Sequence, residues 1–257
     1  MGDPTLPDLT GHTVLVTGAS GTVGGGIAWR FALAGAAVVV HYRSRPDRAE
    51  ELVERVRGCG ARALALRADL TDETECRRLV RESASWTGRL TALVNNAGVQ
   101  PVQPLEDMSV ADWRQVVDPN MVSAFACTQA AVEAMRTTGG GSITHIASIE
   151  GSRPARGHAH YCASKAALIM HARSAALEHG HLGIRVNTVS PGLIDRPGLE
   201  ADWPDGARRW DRAAPLRCRG QAEDVGNACV FLASPMAKWL TGHDLVVDGG
   251  MSCAPTW

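Results

Sequence analysis

The stretch TVLVTGASGTVG, residues 13–24, decides the fold of this chain. Its first five residues are apolar or β-branched, a composition typical of a buried strand. Glycines at positions 18, 21 and 24 follow, and the apolar run from Gly26 to Leu33 is predicted to be a helix. Because glycine has no Cβ, such a turn lets the backbone approach a pyrophosphate closely, and the N-terminus of the helix favours its negative charge. The stretch therefore predicts a dinucleotide-binding strand, turn and helix.

Strand-like runs recur along the chain in alternation with helical patterns. They are predicted near residue 14 and over residues 38–42, 63–66, 93–95, 142–147, 185–189 and 245–247. Such alternation favours a mostly parallel sheet with helices on both faces. We expect an α/β fold in which residues 1–257 form a single doubly wound Rossmann domain with about seven strands.

Residues 193–216 interrupt this alternation of strands and helices, and they contain three prolines and the tryptophans Trp203 and Trp210. They follow the sixth predicted strand, and ligands bind beyond the carboxyl ends of the strands in open parallel sheets. The segment is therefore predicted to be a lid over a substrate. The alternative is a surface excursion whose tryptophans fill the core.

Composition excludes several classes of protein. The chain has 257 residues and a formal net charge of −1, which fits neither a nucleic-acid footprint nor a patch for anionic membranes. It contains no run of about 20 apolar residues that could span a bilayer. Residues 1–8 lack the basic start and apolar core of a secretion signal. We therefore expect a cytoplasmic protein without nucleic-acid or membrane partners.

The spacing of cysteine and histidine does not favour a metal site. The seven cysteines include no Cys-x-x-Cys pair, which favours reduced thiols over disulfides or zinc. The pairs His158/His160 and His179/His181 have a spacing that two metal ligands could share, but a tight site needs a third ligand. We expect no metal.

The stretch from His160 to Lys165 indicates acid–base chemistry. Tyr161 and Lys165 are four residues apart, so they project from the same face of a helix. A phenol with a pKa of about 10 exchanges protons poorly at neutral pH, and a neighbouring ammonium lowers that pKa. The pair therefore predicts that Lys165 lowers the pKa of Tyr161 and so allows the phenol to exchange protons at neutral pH.

Together these motifs resemble the classical short-chain dehydrogenase/reductase family over essentially the full length. The resemblance is carried by the glycine turn, by Asn95-Asn96-Ala97-Gly98, by Ser148 thirteen residues before Tyr161, and by Lys165. It extends to Asn120, Pro191-Gly192 and Asp248-Gly249-Gly250. It implies catalytic roles for Asn120, Ser148, Tyr161 and Lys165. Lys165 would hold the nicotinamide ribose, Ser148 the substrate oxygen, Tyr161 would donate the proton, and Asn120 would anchor a water relay.

The end of the second predicted strand indicates which coenzyme is bound. An NAD enzyme places a carboxylate there, whereas the 2′-phosphate of NADP favours arginine and hydroxyl donors. Here Tyr42 takes the acidic position and Arg43 and Ser44 follow, so we predict NADP(H). The full set of predicted coenzyme residues, several of them implied by the resemblance, is Gly18, Ser20, Gly21, Thr22, Val23, Gly24, Arg43, Ser44, Asp69, Leu70, Asn96, Ala97, Gly98, Tyr161, Lys165, Pro191, Gly192 and Ile194.

Two positions depart from the family pattern. Thr22 stands where the second glycine is usual, and this spacing is more like the extended branch, which includes epimerases and dehydratases. Arg196 stands where a threonine is common, so it could replace that contact, bind an acidic substrate or face water.

We predict a carbonyl reductase, which the resemblance implies is a homotetramer or homodimer. Aromatic and polar side chains near the expected mouth would suit a bulky aromatic or polyketide-like ketone. These are Gln100, Gln103, Ile149, Glu150, Arg153, His158, Trp203 and Trp210. The alternatives are a quinone reductase, an epimerase or dehydratase of the extended type, and a non-catalytic NADP(H)-sensing regulator.

Overall fold

A computed structural model describes residues 6–253, so the expectations for residues 1–5 and for both ends of the 1–257 domain lie outside the described residues. The strands are β1 (Thr13–Val16), β2 (Ala37–Tyr42), β3 (Ala63–Arg67), β4 (Ala92–Asn95), β5 (Gly141–Ile146), β6 (Ile184–Pro191) and β7 (Asp244–Val247). They form one sheet in the order β3-β2-β1-β4-β5-β6-β7, and every neighbouring pair is parallel. The predicted α/β fold with about seven strands is confirmed.

Helices cover both faces of this sheet. They are α1 (Thr22–Leu33), α2 (Pro46–Gly58), α3 (Glu73–Thr87), α4 (Val110–Val117), α5 (Ser123–Met135), α6 (Ala159–His179), α7 (Leu199–Asp202), α8 (Pro204–Ala213) and α9 (Ala222–Ala233). Among residues 6–253, none of the helices combines the length and apolarity needed to cross a membrane.

The two faces of β1 show why its sequence is continuously apolar. Val14 and Val16 pack in a core with residues of α1, α2 and α9, whereas Leu15 packs in a second core with residues of α3, α5 and α6. Successive side chains of a strand point to opposite faces, so a strand buried on both sides needs apolar residues at every position.

The strand order places a binding crevice at the carboxyl end of β1. The chain moves outward from β1 through β2 to β3 and then returns to the other side of β1 at β4. In an open parallel sheet, ligands bind at such a reversal. The loops after β1, β4, β5 and β6 meet at this edge, and they carry most of the predicted site residues.

The first helix begins earlier than the sequence indicates. We predicted it from Gly26, but α1 begins at Thr22, and the Gly25 N–H donates to the Gly21 carbonyl at 2.8 Å. Three consecutive glycines lower helix propensity, which hid this turn. Packing explains two of them, because a Cβ at Gly24 would lie 2.5 Å from the Gly18 carbonyl and one at Gly26 would collide with Ala222 of α9.

Candidate active site

The glycine turn after β1 is folded tightly against the loop after β4. Gly18 has a positive φ of 64°, and a Cβ there would lie 2.9 Å from the Cα of Ala97. The Thr17 hydroxyl accepts hydrogen bonds from the Asn96 and Ala97 N–H groups at 2.9 and 3.0 Å. The Asn96 side chain donates to the Thr17 carbonyl at 2.8 Å. These contacts hold the two loops together at the reversal of strand order.

His41 supports the same turn, and the sequence analysis missed it. Its Nδ1 accepts a hydrogen bond from the Gly18 N–H at 2.9 Å, and its Nε2 lies 3.2 Å from the Ala68 carbonyl. The Nδ1 contact requires a lone pair, so Nε2 carries the proton. Burial lowers the pKa of His41 to about 4. The signal in the sequence was a histidine inside the otherwise apolar strand β2.

We expect the free energy of unfolding to fall as the pH is lowered from 6.5 to 4. Because His41 is held neutral in the folded protein but has an ordinary pKa of 6.5 when unfolded, the unfolded state binds the extra proton in this interval. The loss from His41 alone is about 3 kcal/mol. His145, also buried, has its pKa lowered to about 3 by burial and adds to the slope. Urea unfolding at pH 7.0, 5.5 and 4.5 measures how the free energy of unfolding changes with pH.

The matched variants for this experiment are His41→Asn and His181→Gln. His181 is exposed, so its replacement should leave the pH slope unchanged, whereas His41→Asn should flatten it. An identical slope in the parent protein and His41→Asn would contradict the assignment.

A cleft of about 1170 Å³ opens at the carboxyl edge of the sheet. Its lining includes the predicted coenzyme residues apart from Thr22, and these are Gly18, Ser20, Gly21, Val23, Gly24, Arg43, Ser44, Asp69, Leu70, Asn96, Ala97, Gly98, Tyr161, Lys165, Pro191, Gly192 and Ile194. Thr22 is exposed at the start of α1. The turn leaves no room for a Cβ at Gly18 or Gly24, because each would collide with neighbouring atoms of the protein. This close-packed glycine backbone at the start of α1, which we call the glycine cradle, fits a dinucleotide pyrophosphate.

One end of the cleft is basic. Arg43, Ser44 and Arg45 line it beside Asp69. The Asp69 carboxylate accepts hydrogen bonds from the Thr71 hydroxyl at 2.8 Å and the Thr71 N–H at 3.1 Å, and these bonds lower its pKa. The Asp69 carboxylate is therefore engaged by its own loop.

Ser148, Tyr161 and Lys165 line the opposite part of the cleft. Ser148 follows β5 and caps a 3₁₀ turn over Ile149–Gly151, where its Oγ accepts from the Glu150 N–H at 3.1 Å. Its side chain also lies close enough to Tyr161 to act on the pKa of the phenol, in the lowering direction. Lys165 lies one turn further along α6, with Nζ 5.4 Å from the centre of the Tyr161 ring.

The pKa of Tyr161 differs from the sequence-based expectation. Lys165 Nζ donates to the Ile146 carbonyl at 2.6 Å, and burial lowers the pKa of Lys165 to about 8. Burial also raises the pKa of Tyr161 above its ordinary value, although Ser148 acts in the opposite direction. We expected Lys165 to lower the pKa of Tyr161, but in the protein alone that pKa is raised, and desolvation is the largest cause.

Asn120 lies behind the cleft on a π-helical turn over Asp118–Val122 that joins α4 and α5. Its Oδ1 accepts from the Val99 N–H at 2.7 Å, and its Nδ2 donates to the Val99 carbonyl at 3.0 Å and to Ser164 Oγ at 3.1 Å. The side chain is buried and does not line the cleft. It joins the loop after β4 to α6, which carries Tyr161 and Lys165.

The predicted substrate residues fall into two groups. Six of them line the cleft: Gln100, Ile149, Glu150, His158, Trp203 and Trp210. Gln103 instead donates to Asp107 and Asp112 near the start of α4, and Arg153 is exposed away from the cleft lining. The sequence analysis did not single out Arg156 and Arg209, which also line it.

The segment over residues 193–216 forms α7 and α8 beside the cleft. The Trp203 side chain is 47% exposed, whereas the Trp210 ring packs where a Cβ at Gly192 would be, about 2.7 Å away. Arg196 pairs with Asp202 at 2.7 Å, and both line the cleft. A side chain this exposed does not fill the core, so Trp203 does not fit the alternative of a surface segment whose tryptophans fill the core.

Residues 18–252 match the family model described as enoyl-(acyl carrier protein) reductase. The chain belongs to the short-chain dehydrogenase/reductase family. This short-chain dehydrogenase/reductase is 36% identical to 2,5-dichloro-2,5-cyclohexadiene-1,4-diol dehydrogenase of Sphingobium indicum over 244 residues, which cover 95% of this chain and 97% of the relative. It is 36% identical to 3-oxoacyl-(acyl-carrier-protein) reductase of Staphylococcus aureus over 239 residues, which cover 93% of this chain and 97% of the relative.

A solved structure of 7α-hydroxysteroid dehydrogenase, complexed with NADH and 7-oxo glycochenodeoxycholic acid, has the same fold. It matches with a TM-score of 0.91 and 35% identity, covering 97% of this chain and 98% of that one. The predicted family is confirmed, and a short-chain dehydrogenase/reductase is an oxidoreductase that uses NAD(P)(H). The comparisons do not favour a quinone reductase, an extended-type epimerase or dehydratase, or a non-catalytic sensor.

Proposed function

We propose that this protein is an NADP(H)-dependent reductase of a ketone, with Tyr161 as the general acid. The observation that carries the proposal is that Ser148, Tyr161 and Lys165 line the same cleft as the glycine turn after β1. A sensor of coenzyme would need the glycine turn but not a phenol beside a serine in the same cleft.

The residues of the cleft divide the chemistry between them. Bound NADPH would supply the hydride. Tyr161, kept protonated by its raised pKa, holds a proton on its phenolic oxygen for the substrate oxygen. Ser148, already bonded to the Glu150 N–H, keeps its hydroxyl proton to donate to the same oxygen. Lys165 would bind the ribose of the coenzyme. Asn120 links the loop after β4 to α6, which carries Lys165.

The choice of NADP(H) is supported by the basic end of the cleft. Arg43 and Ser44 supply a guanidinium and a hydroxyl, which suit a phosphate. Asp69, the acidic residue that lines this end, is occupied by Thr71.

We expect Arg43→Gln to weaken NADPH binding about tenfold and to change NADH binding by less than about twofold. A charge-assisted hydrogen bond contributes about 1.5–3 kcal/mol, and the exposure of Arg43 puts it at the low end. Fluorescence titration of both coenzymes measures this. Arg48→Gln, an exposed arginine outside the cleft lining, is the matched control and should change neither affinity. Tighter binding of NADH than of NADPH by the parent protein would overturn the assignment.

The substrate class is proposed from the aromatic wall of the cleft. Trp203 and Trp210 suit a bulky aromatic or polyketide-like ketone, and the segment over residues 193–216 would act as its lid. Oxidation of NADPH, screened across aliphatic, steroid, sugar and polycyclic carbonyl compounds, tests reaction and substrate together. We further propose a cytoplasmic homotetramer or homodimer, as the family resemblance implies, with the whole chain acting as one domain.

A further inference from the structure

Three side chains at the substrate end of the cleft are bonded to one another. His158 Nδ1 lies 2.8 Å from Glu150 Oε2, and Gln100 Nε2 lies 3.3 Å from Glu150 Oε1. The Cys162 thiol lies 3.7 Å from Glu150 Oε2. The side chains of His158 and Glu150 are only 16% and 20% exposed. We call Gln100, Glu150 and His158 the acceptor cluster.

The name follows from the hydrogen-bonding capacity that remains. A carboxylate only accepts, so His158 Nδ1 must carry the proton that faces Glu150. Gln100 donates one amide N–H to Glu150 and keeps its second N–H and its carbonyl oxygen. The carboxylate has about four lone-pair positions, of which three meet donors. The hydrogen-bonding positions that the cluster leaves open to a ligand are therefore mainly acceptors.

The cluster lies directly beside the proposed proton donor. The rings of His158 and Tyr161 meet edge to face, with their centres 6.2 Å apart. The Glu150 N–H donates to Ser148 Oγ, so Glu150 lies close in space to the residue that would hold the substrate oxygen. A carbonyl oxygen held by Ser148 and Tyr161 would bring the carbon next to the carbonyl group close to the cluster.

We propose that Gln100, Glu150 and His158 form a subsite that selects ketones with a hydroxyl group on the carbon next to the carbonyl. The inference rests on the proposed reductase function and narrows its substrate class. The hydroxyl donates to the acceptor cluster while the carbonyl oxygen is held by Ser148 and Tyr161. An ether at the same position has no proton to donate, so it desolvates the remaining acceptor positions of the cluster without forming a hydrogen bond to them.

The test compares the oxidation of NADPH with 1-tetralone, 2-hydroxy-1-tetralone and 2-methoxy-1-tetralone, bicyclic aromatic ketones that match the proposed substrate class. We expect kcat/KM for the hydroxyketone to exceed that for the methoxyketone about tenfold, because a hydrogen bond to a charged group contributes at least that much. In Glu150→Gln this ratio should fall towards one. The hydroxyl does not react, so its bond is equal in ground and transition states and its loss should raise KM with little change in kcat.

The control variant is Glu106→Gln, which removes an exposed carboxylate outside the cleft lining and should leave the ratio unchanged. Equal kcat/KM for the hydroxyketone and the methoxyketone in the parent protein would overturn the inference while leaving the reductase function intact. The same holds if Glu150→Gln keeps the preference, or lowers kcat equally for all three ketones. Failure to oxidise coenzyme with any carbonyl compound would overturn the proposed function and this inference with it.

Discussion

Replacing Tyr161 by phenylalanine is expected to lower kcat by about 10²- to 10⁴-fold, the range that a positioned general acid contributes. The phenyl ring fills the same space beside His158 and Lys165, so the change removes the hydroxyl and little else. Coenzyme binding, followed by fluorescence titration, should stay within about threefold, because the cradle of Gly18 and Gly24 is untouched. Steady-state oxidation of NADPH gives the rate.

The chain offers a matched control for this substitution. Tyr42, the last residue of β2, is the other tyrosine; it packs against the core and lies outside the cleft lining. Tyr42→Phe therefore makes the same chemical change away from the proposed chemistry. Its kcat should equal that of the parent protein. If Tyr161→Phe turns over as fast as Tyr42→Phe, the proton comes from another group and the mechanism is wrong.

The second large effect is expected from two adjacent glycines of α1. A Cβ at Gly24 would lie 2.5 Å from the Gly18 carbonyl and 2.6 Å from Asn96 Nδ2, whereas a Cβ at Gly25 would meet only the Ala19 carbonyl at 3.4 Å. Gly24→Ala should lower the free energy of unfolding by about 1–3 kcal/mol and weaken coenzyme binding, since the turn must move. Gly25→Ala should raise stability by up to about 1 kcal/mol, because alanine favours a helix.

Urea unfolding and coenzyme titration of the two variants measure this contrast. Both substitutions add one methyl group to the same turn of the same helix, so each controls for the other. Equal stability of Gly24→Ala and Gly25→Ala would mean that the turn is not packed as described.

The strands could be predicted because a parallel sheet buried on both faces leaves a continuous apolar signal. The run over residues 38–42 was predicted within one residue of β2, and residues 185–189 lie inside β6. The family motifs then located the loops, since they stand at the carboxyl ends of these strands. Local sequence was sufficient to locate the strands, because each buried parallel strand carries the same apolar run.

Features that depend on contacts distant in sequence could not be predicted. The start of α1 at Thr22 depends on packing of its glycines against Gly18, Asn96 and Ala222. The π-helical turn that carries Asn120 does not follow the 3.6-residue spacing by which an α-helix is recognised in a sequence. Such turns are frequent at functional sites.

The ionisation of Tyr161 could not be predicted for a similar reason. Helical spacing correctly places Lys165 beside it, but the direction of Nζ is set by the Ile146 carbonyl at the end of β5. How strongly burial opposes charge depends on the whole cleft. Likewise, Gln100, Glu150 and His158 were predicted as separate substrate residues, whereas their mutual hydrogen bonds emerge only from the fold.

The environment of Lys165 has a consequence for covalent labelling. Arginine carries nearly all the positive charge of this chain, and its two lysines are Lys165 and Lys238. Lys238 is exposed, whereas Lys165 is buried with a pKa of about 8. Acylating reagents attack an amine that is both neutral and reachable, so the folded protein presents one easily modified side-chain amine and one shielded amine. A mass increment at Lys165 therefore reports opening of the cleft without any introduced probe.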